Sequence, residues 1–259
     1  MFGWHIAKGG SFKKSAAEAA EYIRGLGLQP CVQVFACGPR TSSVIIASEP
    51  LGVPAVIHGA YIDNPWSRGV VAPIVNELRL AQIVGANGVV VHLAQKAHHK
   101  AELGEVIKAM NVASDQGAQG IVWLEINTAK PSADTFETVE SLTWLFEHIA
   151  EMQGEGSRIR YGLCVDTAHL WSCGMSFARY EQARSWLERC AAMMVRLGFA
   201  DEGQPRMMFH LNDSAKGFAS GVDNHAEFGT GFIWQGMAVR DTGFYAVVEF
   251  AVEHALVVI

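Results

Sequence analysis

Two stretches decide the fold: Gly88-Val89-Val90-Val91-His92 and Gly120-Ile121-Val122-Trp123-Leu124-Glu125. Each is a short, continuous apolar run, the pattern of a parallel strand covered on both faces. Each stops on a side chain that no apolar core requires. The amphipathic segment Ala101–Asp115 lies between them and reads as a helix. Gly85-Ala86-Asn87-Gly88 reads as a helix stop ahead of the first run.

The same alternation extends in both directions. Further candidate strands are Gly3–Ile6, Val32–Phe35, Ala55–His58, Tyr161–Asp166, Met207–Leu211 and Tyr245–Glu249. Helical patterns cover Ser15–Leu26, Pro73–Val84, Thr135–Gln153 and Tyr180–Leu197, with Ser132 or Asp134 as a cap near Thr135. The segment between Phe35 and Pro54 is poor in helix signals, and Ser214–Ile233 is a long Gly-rich loop; both are expected to serve function at one mouth. Eight alternations without a break in composition favour a closed α/β architecture, a single (β/α)8 barrel over residues 1–259. The ten residues after Glu249 predict an abbreviated last helix.

The bulk numbers agree with one large domain. Half of the 259 residues are hydrophobic and 18% are charged, which supplies a core and argues against disorder. The start, Met1-Phe2-Gly3-Trp4-His5, lacks the basic flank and apolar run of a signal peptide, and no apolar stretch would span a bilayer. A soluble, cytoplasmic protein with no membrane partner is expected, with a monomer as the default. Five scattered cysteines (Cys31, Cys37, Cys164, Cys173, Cys190) form no CxxC pair and read as reduced, buried residues. Net charge is 20 − 26 = −6, which on its own argues against a nucleic-acid partner.

The informative pattern is where the His, Asp and Glu residues fall. Six of the eight candidate strands end in His58, His92, Glu125, Asp166, His210 or Glu249. The C-terminal strand ends of such a barrel converge on one mouth, where active sites sit. His169, Asp223 and His225 lie just beyond strand ends. Any one of these alone is more simply a satisfied polar group, but six strand ends behaving alike is hard to attribute to chance. Nine such groups exceed what one tetrahedral zinc uses and suit a cluster of about three ions. Those ions would also cancel the net charge. His98, His99, His148 and His254 fall in polar or helical segments, and His5 is at most a neighbour of the ligands.

The motifs resemble the endonuclease IV family of abasic-site endonucleases, within the xylose-isomerase-like TIM barrels. Cys164-Val165-Asp166-Thr167-Ala168-His169 is similar to the family's strand-six signature. Phe209-His210-Leu211-Asn212-Asp213-Ser214 and Asp223-Asn224-His225 through Gly229-Thr230-Gly231 resemble its later segments. The resemblance implies three zinc ions. His58, His92 and Glu125 would hold one; Glu125, Asp166, His210 and Glu249 a second; His169, Asp223 and His225 the third. It also implies Arg40 and Tyr61 as contacts to double-stranded DNA. Lys216 and the amides of Gly229 and Gly231 are candidate phosphate contacts, with an ordinary surface-loop role as the alternative. The implied reaction is hydrolysis of the phosphodiester 5′ to an abasic site in base excision repair. The chain departs from the family at Asn224, where an arginine is common, and in one extra residue in Glu125-Ile126-Asn127-Thr128-Ala129. Two alternatives stay open: a sugar isomerase or epimerase with one ion on Glu125, Asp166, His210 and Glu249, and a DNA-damage binder without catalysis.

Overall fold

Eight parallel strands close into a ring in this computed structural model, which describes residues 1–6, 11–35, 37–38, 41–45, 49–61, 68–93, 100–131 and 135–259. They are β1 (Phe2–His5), β2 (Pro30–Phe35), β3 (Ala55–His58), β4 (Ala86–His92), β5 (Gly120–Glu125), β6 (Ile159–Asp166), β7 (Met207–His210) and β8 (Val257–Val258). Each pairs with its neighbour in chain order, and β8 pairs with β1. Outside run the helices α1 (Phe12–Gly25), α2 (Val71–Val84), α3 (Lys100–Asp115), α4 (Val139–Met152), a short α5 (Thr167–Ser172), α6 (Tyr180–Arg196) and α7 (Gly243–Glu253). This is a (β/α)8 TIM barrel. Among the described residues no helix joins β2 to β3; Cys37–Gly38 and Thr41–Ile45 pair there as an antiparallel ribbon.

Strand alternation divides the apolar residues into two layers. Outward residues such as Val89, Val91, Val122, Leu124, Leu163 and Val165 join the large core under the helices. Inward residues Cys31, Val56, Val90, Ile121, Trp123, Cys164, Met208 and Val257 form a second cluster that fills the barrel. Cys31, Cys164, Cys173 and Cys190 are all buried and unpaired.

Three sequence expectations need correction. Tyr245–Glu249 is not the eighth strand but part of α7, and the true eighth strand is Val257–Val258. Thr242 caps α7 by accepting from the Tyr245 amide at 3.2 Å, and the buried residues Ala246, Val247, Phe250 and Ala251 recur at helical spacing. The run resembles a strand because Tyr245, Val247 and Val248 carry β-preferring side chains. With α7 preceding β8, the ten residues after Glu249 are not an abbreviated closing helix. Similarly, α4 begins at Val139, capped by Thr138, whose hydroxyl accepts from the Ser141 amide at 3.1 Å. Ser132 and Asp134 lie outside the described residues.

The inner layer depends on one glycine. A methyl group at Gly162 of β6 would sit 2.5 Å from Cε3 and Cζ3 of Trp123 on β5. Gly162→Ala is expected to destabilise the barrel by about 1–3 kcal/mol through overpacking. A denaturant midpoint indistinguishable from wild type would contradict this.

Candidate metal centre

The last inward position of each strand lies above the apolar filling. Pairing sets the heights: His92 is level with Glu125, Asp166 with His210, and Phe35 with His58. Side chains from separate strands therefore meet at one mouth. Together with Tyr61, His169, Asp223 and His225 they line a cavity of about 470 Å³.

Glu125 is the centre of the arrangement and is 1% exposed. Its Oε1 lies 2.7 Å from His210 Nδ1, and its Oε2 lies 2.9 Å from His92 Nε2 and 3.3 Å from His58 Nε2. Two rings are fixed by backbone. His58 Nδ1 donates to the carbonyl of Gly59 and His169 Nδ1 to that of Ile126, both at 2.8 Å. Their Nε2 atoms are thereby turned toward carboxylates.

A second group adjoins the first. Asp166 Oδ1 caps α5 by accepting from the amides of Ala168 and His169 at 2.8 and 3.0 Å. That cap brings His169 over the mouth. Asp223 and His225 arrive from the loop after β7, where Asp213–Ser214 pairs antiparallel with His225–Ala226. Asp223 lies 3.4 Å from His169 Nε2 and 3.0 Å from His225 Nε2. Asp166 Oδ2 lies 3.7 Å from His225 Nε2 and accepts from the Asn212 side-chain amide at 2.7 Å.

Eight of the nine sequence-predicted metal residues thus meet at the mouth, and Glu249 does not. It lies on α7, where it accepts from the Tyr180 hydroxyl at 2.5 Å and lies 3.6 Å from Arg184 Nη1. The last residue beyond β8 that reaches the mouth is Ile259. Tyr61 stacks on His92 with ring centres 5.2 Å apart and remains half exposed. Arg40 lies outside the described residues. Lys216 is exposed and is not among the residues lining the cavity. The amides of Gly229 and Gly231 are not free for phosphate, because both donate to the buried Asp213 carboxylate at 3.0 and 3.2 Å. Asp213 also accepts from the amides of Ser214 and Ile233, so it holds the loop's shape. The sequence reading missed Asp213 in this role, and missed Gln33 and Phe35 as lining residues.

The electrostatics are those of a site held by positive charge. Burial works against a charged His169, yet the carboxylates of Asp166, Asp223 and Glu125 raise it to about 10. His58 and His225 are likewise raised against their burial, the former chiefly by Glu125 and the latter by Asp223 and Asp166. Glu125 stays well below the usual carboxylate range: burial pushes it up, but His210 and His92 dominate. His5, on the cavity floor, is pushed down to about 4 by burial and by the neighbouring His58 and His210. Glu125 Oε2 and His169 Nε2 are buried and make these ion-pair contacts without a well-aligned hydrogen bond. Ligand atoms lie within 4.8 Å of one another in three sets: His58, Glu125 and His210; His92, Glu125 and His169; Asp166, His169 and His225. Imidazole nitrogens and carboxylate oxygens, two of them buried without an aligned hydrogen bond, fit divalent metal.

A probable AP endonuclease from African swine fever virus is 32% identical to this chain over 240 residues, covering 86% of this chain and 75% of that protein. The chain belongs to the AP endonuclease family. Endonuclease 4 of Thermus thermophilus is 30% identical over 253 residues, covering 91% of this chain and 84% of that protein. The crystal structure of AsfvAP:AG superposes with a TM-score of 0.80 at 28% identity, covering 100% of this chain and 90% of that one. Endonuclease IV from Thermus thermophilus gives 0.68 at 24%, covering 99% and 90%. A D-tagatose 3-epimerase-like protein, at 0.54 and 17%, shares the fold. No protein-family model matches the chain.

For this AP endonuclease family member the raised histidines set a pH dependence. The stabilisation from protonated His169 is full below about 6.5 and is lost as pH rises toward about 10. A metal ion bound by His169 would displace that proton, so affinity of the metal-free protein for a divalent metal such as zinc is expected to rise across the same window. Calorimetry at pH 7 in buffers of different ionisation enthalpy should find protons released on zinc uptake. Uptake without proton release would show that these histidines are not ligands.

Proposed function

We propose that this chain is a zinc-dependent AP endonuclease that hydrolyses the phosphodiester 5′ to abasic sites in double-stranded DNA during base excision repair. The observation that carries this reading is the meeting of His58, His92 and His210 on the buried Glu125, with His169, Asp166, Asp223 and His225 adjoining. His58, His92 and Glu125 would hold one ion, Glu125, Asp166 and His210 a second, and His169, Asp223 and His225 a third. Bound zinc would neutralise charge on the phosphate and lower the pKa of water to near neutrality.

The chain's own residues do the rest. Glu125 remains an ionised carboxylate between the first two sets, so it can serve both. His58 and His169 give up the outer proton and keep the inner one on a backbone carbonyl, which fixes each ring. The exposed Tyr61 ring stands at the mouth, where it can hold an opened sugar, and Arg40 is assigned to the duplex at the lesion. Selectivity follows from the missing base, because kinking and extruding an unstacked sugar costs less than extruding a normal nucleotide. No described helix is long and apolar enough to cross a membrane. We read the chain as one barrel domain that acts as a cytoplasmic monomer.

The one-ion isomerase reading is less well supported. Its fourth ligand, Glu249, sits on α7 and is tied to Tyr180 and Arg184 of α6, and five clustered residues would have no role. Metal analysis is expected to give about three zinc ions per chain; a value near one would favour the isomerase.

A duplex carrying one tetrahydrofuran abasic analogue tests the activity. Wild type should nick it and a strong chelator should stop it. Glu125→Gln should lose about 100-fold or more, since even outer partners of metal ligands cost 10–100-fold. Glu249→Gln should cut like wild type. A wild-type protein that binds the duplex without nicking it would reduce the assignment to damage binding.

A further inference from the structure

Strand β2 reads Pro30-Cys31-Val32-Gln33-Val34-Phe35, and Gln33 is its one polar side chain, 3% exposed. It points into the barrel immediately beneath the cluster and lines the cavity. Its two amide atoms are both used. Oε1 lies 2.8 Å from His210 Nε2, and Nε2 lies 3.2 Å from Nδ1 of His5, its register partner on β1. The contact to His210 crosses the ring, since β8 and β1 stand between β7 and β2.

With the Gln33 amide oriented as the structure has it, oxygen toward His210, the proton positions follow. An amide oxygen only accepts, so His210 must donate from Nε2; an amide nitrogen only donates, so His5 must accept at Nδ1. His210 then carries its fixed proton on Nε2 and presents Nδ1 to Glu125, 2.7 Å away. This is the reverse of His58 and His169, whose Nδ1 atoms are held by backbone carbonyls. His210 has a side chain doing the work that backbone does for the other two.

We propose that Gln33 is a positioning residue for metal binding, selecting the tautomer and ring orientation in which His210 offers Nδ1 as ligand. The proposal rests on the metal-centre reading above and adds a residue to it. His5 completes the chain by holding the amide the right way round, so that its oxygen and not its nitrogen faces His210.

Zinc titration of the metal-free full chain against a chromophoric chelator tests it without reference to nuclease activity. Gln33→Leu keeps the volume and removes the acceptor, and should weaken zinc binding at one site by about 10–100-fold. Gln33→Glu keeps an acceptor toward His210 and should bind close to wild type. Equal affinity in wild type and Gln33→Leu overturns the proposal, as does a Gln33→Glu variant as weak as the leucine variant. Nitrogen-15 spectra of histidine in zinc-loaded wild type give a check that needs no variant to fold: His210 should be protonated at Nε2 and metallated at Nδ1, and the reverse pattern overturns the proposal. Wild type that takes up no zinc at all is a different result, and overturns the metal-centre reading itself.

Discussion

The structure depends on one buried charge. Glu125 ends the apolar run Ile121–Leu124 with its carboxylate sealed from water at 1% exposure. A carboxylate in such a place is costly unless paired and hydrogen-bonded, and a buried ion pair seldom stabilises a fold more than well-packed apolar residues would. Stability alone therefore does not account for Glu125 and the imidazoles around it. In the metal-free chain the compensating charge for Glu125 comes from the histidines around it, His210 and His92 first. Protons occupy the places where divalent cations would serve the same electrostatic need.

The barrel makes that concentration of charge tolerable. Below it lies a buried apolar layer in which Trp123 packs over Gly162 and covers the carboxylate from beneath. Above it the support is uneven. His58, His92, Glu125, Asp166 and His210 end strands whose backbones are paired on both sides. Asp223 and His225 come from a loop, are 42% and 43% exposed at their side chains, and owe their position to the amides gathered on Asp213. One half of the site is thus rigid, and the other is open to water and to a large substrate.

This division also explains what the sequence could reveal. The ends of strands were legible because a continuous apolar run that stops on His or Glu marks both the strand and its mouth, as at His92 and Glu125. Glu249 failed by the same rule: Tyr245–Glu249 ends in a carboxylate, but its apolar residues continue to Phe250 and Ala251 at helical spacing, and Tyr180 and Arg184 account for the charge. Period decides between the two readings, and five residues are too few to measure one. Asp213 was visible inside a quoted motif, but its partners are backbone amides sixteen to twenty residues away, which no side-chain pattern encodes. Gln33 was visible only as a polar interruption in an apolar strand; its meaning needs His210, which lies 177 residues further on.

The acidic net charge of −6 becomes intelligible at the mouth. The cavity brings Glu125, Asp166 and Asp223 together, three carboxylates at the spot where a phosphate would have to arrive. Histidine protons offset them only while pH stays below the raised values, and they are spent holding the carboxylates. Three divalent ions would invert the local sign and cancel the overall charge together. Under the proposed reading, metal uptake and attraction of a phosphodiester are one electrostatic event, and the acid excess of the chain is the complement of its cations.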